Sequence, residues 1–132
     1  MIFHGTQPTK SHEQDAGWDL RSAASVVIPV GQRRLVPTGT RVTLPVGTVG
    51  LVCPRSGLAA RQGLTVLNAP GVIDPGYTGD IGVILHNTGE HPAHIHRGDR
   101  IAQLVILPTH PTPTTTTTAA TRGAGGFGST GR

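Results

Sequence analysis

The sequence predicts an all-β fold, a jelly-roll-like barrel or sandwich of short strands with one short helix and an extended C-terminal arm. Three observations carry this expectation. The 132 residues include 19 Gly and 11 Pro, about twice the roughly 12 % that average usage gives the pair. Both are poor helix-interior residues, which excludes a helical bundle. Apolar residues come in short bursts bounded by Gly, Pro and Asn, the pattern of short strands joined by turns. After Leu107 that pattern stops and a polar, Pro- and Thr-rich tract begins.

The elements follow in order. Strands are expected at 26–30, 34–36, 40–44, 49–53, 65–67, 81–87, 93–96 and 101–107. Thr40-Arg41-Val42-Thr43-Leu44 shows the period-2 alternation of a half-buried strand. The helix is expected at 57–62, stopped by Gly63, with Ser56 as its N-cap and backbone N–H groups aimed outward at its start. The segment PTHPTPTTTTTAAT offers no core-forming residue and reads as an extended linker. The domain plan is therefore a β-domain at 1–107, a linker at 108–121 and a glycine-rich arm at 122–132. The arm combines Phe127, arginines, hydroxyls and glycines, which suits a flap over a ligand; a disordered terminus is the alternative reading of the same composition.

Composition also bounds function. A net charge of +4 favours an anionic partner or simply aids solubility. The arginines are scattered and aromatics for base stacking are nearly absent, which argues against nucleic-acid binding. Cys53 is the single cysteine, so no disulfide can form within the chain; it is expected to be a buried, inert thiol. No signal peptide or transmembrane run is expected, and the protein is placed in the cytoplasm, away from membranes. His94 and His96 would share one face of a strand, as metal pairs do, although their setting suits an ordinary connection.

Chemistry-bearing residues collect at turns. Asp15-Ala16-Gly17-Trp18-Asp19-Leu20, Pro54-Arg55-Ser56-Gly57-Leu58-Ala59, the stretch NAPGVIDPGYTGD from Asn68 to Asp80, and RGDRIAQL from Arg97 to Leu104 each present polar groups between apolar bursts. With RGAGGFGSTG near the C-terminus they form an ordered set. Singly, each segment reads as an ordinary turn.

Together, these five segments resemble the five motifs of the trimeric deoxyuridine triphosphate nucleotidohydrolases, the dUTPases. The resemblance runs from Asp15 to Gly131. It implies hydrolysis of dUTP to dUMP and pyrophosphate, limiting uracil incorporation into DNA and supplying dUMP for thymidylate synthesis. Asp74 is then the base that takes a proton from the attacking water, and Arg55 helps fix that water's geometry in the same site. Ser56, Gly57, Gln103, Arg122, Ser129 and Thr130 are the implied phosphate contacts, a guanidinium being suited to bidentate binding.

Asn68, Gly71, Val72, Ile73, Tyr77 and Phe127 are the implied nucleoside contacts. A β-hairpin around 72–78 would present main-chain groups to the uracil edge, Tyr77 would lie under the deoxyribose, and Phe127 would stack on the base. The implied cofactor is Mg²⁺, which favours phosphate oxygens and retained waters; Asp19 would hold it through water. The implied assembly is a homotrimer with sites between subunits, each closed by a neighbour's arm. Thr78 and Asp80 depart from the family's commoner Arg and Glu. A dCTP deaminase-like enzyme of similar fold and a non-enzymatic regulatory or structural module are the alternatives. The Tyr77-type residue and the glycine-rich arm argue against the first, and Asp74, Tyr77 and Arg122 together against the second.

Overall fold

The computed structural model describes residues 1–110, 123–129 and 131. Among them are eleven strands and one helix: β1 (Ile2–Gly5), β2 (Gly17–Arg21), β3 (Val26–Ile28), β4 (Arg33–Pro37), β5 (Thr40–Thr43), β6 (Thr48–Cys53), α1 (Ser56–Gln62), β7 (Leu64–Val66), β8 (Gly71–Ile73), β9 (Gly82–Asn87), β10 (Ala93–Ile95) and β11 (Arg100–Pro108). The fold is all-β and jelly-roll-like, as the sequence predicts. Each expected strand is present with ends shifted by one or two residues. β1, β2 and β8 were not expected.

Four small sheets make the body. Their strand orders are β1-β5, β10-β3, β2-β11-β6-β8 and β4-β9-β7. All the ladders are antiparallel. Alternation decides which face goes inward. In β9, Val83, Leu85 and Asn87 are buried while their neighbours are not fully so. Leu20, Ile28, Val36, Val83 and Leu104 are sealed from solvent at the centre of the core, each worth about 1.5–3 kcal/mol of burial. β11 breaks alternation at its start, where Ile101 and Ala102 are both buried because the register against β2 shifts between Arg100 and Ala102, as a bulge does.

Asn87 is one of four buried polar residues among those described, with Ser22, Thr38 and Thr40, and its side chain is bonded at both ends. Its amide donates to Ile28 O at 2.9 Å and His91 O at 2.8 Å, and its oxygen accepts from Gly89 N at 2.9 Å. Trp18 packs edge-on against Phe3, ring centroids 5.1 Å apart, with Lys10 Nζ 4.6 Å from its centroid. Cys53 is half-buried rather than sealed.

Two local expectations need correction. Ser56 is the first helical residue; the N-cap is Arg55, with no side-chain capping bond, and Gly63 ends the helix at φ 63°. The hairpin around 72–78 does not form within the chain. β8 pairs with β6 instead, and the returning limb is bridged at Tyr77 to Gly123 of the arm. A strand of three residues followed by the turn Asp74-Pro75-Gly76 has too few ladder bonds to pair on itself, so it takes partners elsewhere. β11 continues through Pro108, and Thr109 N donates to Gly47 O at 2.8 Å.

Candidate functional site

The four-stranded sheet positions most of the polar residues. Across it, Gln103 of β11 lies between Asp19 of β2 and Cys53 of β6. One strand further along, Leu51 of β6 faces Val72 of β8. β6 runs directly into Arg55 and α1, and β8 runs directly into Asp74. The sheet thus delivers two sets of groups to two separate clefts.

The first cleft, about 340 Å³, is polar. Its walls include Ser11, Asp15, Asp19, Arg55, Ser56, Gly57 and Gln103. Asp19 anchors it, with one carboxylate oxygen 3.2 Å from Arg55 Nε and the other 3.3 Å from Arg100 Nη1. Arg55 also donates to Arg100 O at 3.3 Å, and Arg100 to Ser11 Oγ at 3.3 Å. Two guanidinium groups are thereby held in fixed orientation around one carboxylate, which limits the ordering cost when they meet an anion.

Gln103 is fixed as firmly. Its Nε2 donates to Pro54 O at 3.0 Å; a carbonyl can only accept, so this settles the amide orientation. The second N–H remains for a ligand oxygen. Gly17 makes room for this side chain, since a Cβ there would lie 2.5 Å from Gln103 Oε1.

The second cleft, about 140 Å³, is lined by Asn68, Gly71, Val72, Ile73, Asp74, Tyr77, Asp80 and, from the arm, Gly126 and Phe127. Tyr77 Oη donates to Asp80 O at 2.8 Å, and its ring lies so close to Gly79 that a Cβ there would sit 2.6 Å from Cζ. Burial raises the Tyr77 phenol above its ordinary value, and the Asp80 carboxylate adds to the rise. The arm lies across this cleft of its own chain: Thr78 N donates to Gly123 O at 2.7 Å. Phe127 stands over Gly82, its Cζ 3.2 Å from where a Cβ would be.

The structure therefore brings Asp19, Arg55, Ser56, Gly57 and Gln103 together in one cleft. Asn68, Gly71, Val72, Ile73, Asp74, Tyr77 and Phe127 come together in the other. Arg55 and Asp74 line different clefts of this chain, whereas the resemblance implies a site assembled between subunits. Ser129 is exposed in a turn, its N–H donating to Gly126 O at 3.0 Å, and lies in neither cleft. Arg122 and Thr130 lie outside the described residues, as does most of the expected linker.

Sequence reasoning missed Arg100 and Ser11 as partners in the polar cleft, and Asp80 in the other. Arg100 stood in the quoted RGDRIAQL segment, but its pairing with Asp19 spans 81 positions, and no local pattern announces it. Among the described residues no three His, Cys, Asp or Glu side chains gather as a metal cage. Asp15 and Asp19 are the carboxylates of the polar cleft, oxygen donors of the kind a hard cation takes directly or through water.

The small β-body thus presents a guanidinium-lined polar cleft and a second, tyrosine-floored cleft. Comparison with known proteins supplies the class. A family model described as dUTPase matches residues 4–131, and the chain belongs to that family. A deoxyuridine 5'-triphosphate nucleotidohydrolase of Tropheryma whipplei is 48 % identical over 132 residues, covering 97 % of this chain and 90 % of that protein. One from Mycobacterium sp. is 58 % identical over 100 residues; there the match covers 75 % of this chain and 65 % of the relative.

Solved structures agree. A mutant dUTPase of Staphylococcus bacteriophage 80alpha with dUpNHpp superposes at a TM-score of 0.78 with 29 % identity, covering 97 % of this chain and 93 % of the other. A mutant dUTPase from phage phi11 of S. aureus, described as coordinating a structural Mg(II) ion, gives a TM-score of 0.78 with 26 % identity, covering 91 % and 99 %.

Proposed function

We propose that this chain hydrolyses dUTP to dUMP and pyrophosphate, as a dUTP diphosphatase. Family membership and the names of its relatives support the reaction. The observation that supports its mechanism is the division of the site. One cleft holds a carboxylate, Asp74, beside a tyrosine-floored pocket; the other holds fixed guanidinium, hydroxyl and amide donors.

In this reading the base and sugar occupy the apolar cleft. Main-chain groups of 71–73 meet the uracil edge, and a cytosine would leave them unpaired. Asn68 contacts the nucleoside, Tyr77 floors the deoxyribose, and Phe127 covers the base. Asp74 orients a water and accepts its proton as the oxygen attacks the α-phosphorus. The bond from that phosphorus to the bridging oxygen breaks, and pyrophosphate leaves. Arg55, Ser56, Gly57 and Gln103 bind the phosphates, joined by Arg122, Ser129 and Thr130 of the arm. When bound, Mg²⁺ on the triphosphate would neutralise charge on the phosphate oxygens, with Asp19 holding its waters.

The separation of Asp74 from Arg55 favours an assembly in which a neighbour completes each site. A homotrimer does this, and a neighbour's arm can then make the contacts that the chain's own arm makes in isolation, as in an exchanged element. Among the described residues no helix is long and apolar enough to cross a membrane, which is compatible with a cytoplasmic enzyme. The test is a nucleotide panel with Mg²⁺. Pyrophosphate release is expected from dUTP, with dCTP, dTTP and UTP far poorer; equal turnover of all four would sink the selectivity assignment.

A further inference from the structure

The loop that carries Tyr77 is tied to a buried corner elsewhere in the fold. β4 and β5 are joined at Thr38 and Gly39. Thr38 is fully buried. Its hydroxyl donates to Ile81 O at 2.7 Å and accepts from Thr40 N at 3.1 Å. Thr38 N also donates to Ile81 O at 3.2 Å, and Ile81 N donates to Thr40 O at 2.8 Å. Beside these bonds, Gly39 N donates to Asp80 Oδ2 at 3.3 Å. Asp80 in turn offers its carbonyl to Tyr77 Oη at 2.8 Å.

The chain of contacts therefore runs from the corner, through Ile81 and Asp80, to the phenol. Valine would fill the volume of Thr38 in a plain core. What the hydroxyl adds is a second bond to Ile81 O, aimed at the loop rather than at the packing. Tyr77 has little freedom of its own, because its ring rests on Gly79 and its oxygen on Asp80. The height of the ring is consequently set by where Asp80 and Ile81 are held.

We propose that Thr38 and Asp80 are positioning residues for sugar selectivity, fixing the Tyr77 ring so that a 2′-hydroxyl has no room above it. The inference rests on Tyr77 flooring the deoxyribose. Neither residue touches the nucleotide's reacting atoms. Both act through Tyr77, so their loss relaxes discrimination between dUTP and UTP more than it slows the chemistry.

The experiment compares kcat/KM for dUTP and UTP in the full chain with Mg²⁺. The variants are Thr38→Val, Thr38→Ser, Asp80→Ala, Tyr77→Ala and, as a core control, Ile28→Val. Thr38→Val and Asp80→Ala are expected to lower the dUTP preference about tenfold. Thr38→Ser, which keeps the hydroxyl, and Ile28→Val are expected to preserve it. Alkaline absorbance titration of Tyr77, the single tyrosine, gives a nucleotide-free readout; Thr38→Val should lower its midpoint and Ile28→Val should not.

An unchanged preference in Thr38→Val and Asp80→Ala, with collapse in Tyr77→Ala, would overturn the proposal and leave the Tyr77 assignment standing. An unchanged preference in Tyr77→Ala would overturn the assignment and the proposal with it. Should Thr38→Val fail to fold, Asp80→Ala and Thr38→Ser carry the comparison.

Discussion

Asp74 sits where β8 gives way to a turn, and Tyr77 N closes that turn on Asp74 O at 3.2 Å. If Asp74 is the base, Asp74→Asn keeps the shape and removes the proton acceptor. Turnover should fall by about 10²–10⁴-fold with nucleotide binding retained, measured by steady-state kinetics and calorimetry; wild-type turnover would remove Asp74 from the role. Tyr77 gives a pH prediction. Its phenol titrates above 10 in the folded chain because burial, helped by Asp80, disfavours the phenolate. The folded state therefore holds this proton more tightly than the unfolded chain does. The stabilisation is fully present below pH 10 and is lost as pH rises through the folded value. Denaturation followed from neutral to strongly alkaline pH should show the decline, and Asp80→Asn should make it smaller, because it lowers the folded value while the unfolded one is unchanged. Gly17→Ala should drive a methyl into Gln103 Oε1 and raise KM for dUTP about tenfold with little change in melting temperature. These residues were legible because five segments stood in family order. Arg100 and Ser11 were not, since only folding brings them to Asp19.

Strands read well from the sequence where alternation ran for four residues or more. Thr40–Thr43 and Gly82–Asn87 differ from expectation only at their ends. The unexpected strands share a physical cause. IFHG, GWDLR and GVI are short, glycine-bearing or mixed in polarity, and each is made a strand by its partner rather than by its own propensity. The helix shows the same limit at one residue: Ser56 resembled a cap, but Arg55 holds the extended conformation that a cap needs. The arm was legible as a composition and not as a contact. Its bridge from Gly123 to Tyr77 predicts the effect of truncation. A chain ending at residue 121 should retain its far-ultraviolet circular dichroism and cooperative melting, because none of the arm's described residues is in the core. Its dUTP turnover should fall by more than a hundredfold; near-native turnover would show that the arm is dispensable.

At the scale of the molecule, the four-stranded sheet has one face in the core and one turned away. Val52, Ala102, Leu104 and Ile73 point inward. The opposite face carries the half-buried Leu51 and Val105, with Val72 59 % and Leu107 44 % exposed. This apolar sheet face is the surface through which the proposed trimer would form, and it adjoins the row of Asp19 and Gln103. Val105→Asp is expected to dissociate the proposed trimer in sedimentation velocity. Turnover should fall with it while the isolated chain stays folded; a trimer that survives would place the contact elsewhere. None of this division was legible in the sequence. The order β2-β11-β6-β8 assembles segments from both ends of the chain, and no local pattern encodes which segments share a cleft.

The chain also carries its own optical reporter. Trp18 is the single indole, adjacent in sequence to Asp19, with Phe3 against its edge and the Lys10 ammonium near its ring. Emission from such an indole depends on the local field. Trp18 lies on the face of β2 opposite Asp19, so a polyanion entering the polar cleft should change the fluorescence through its field rather than by contact, without any label. Substrate and pyrophosphate affinities, and the rate at which product departs, can then be followed in the unmodified protein by light alone.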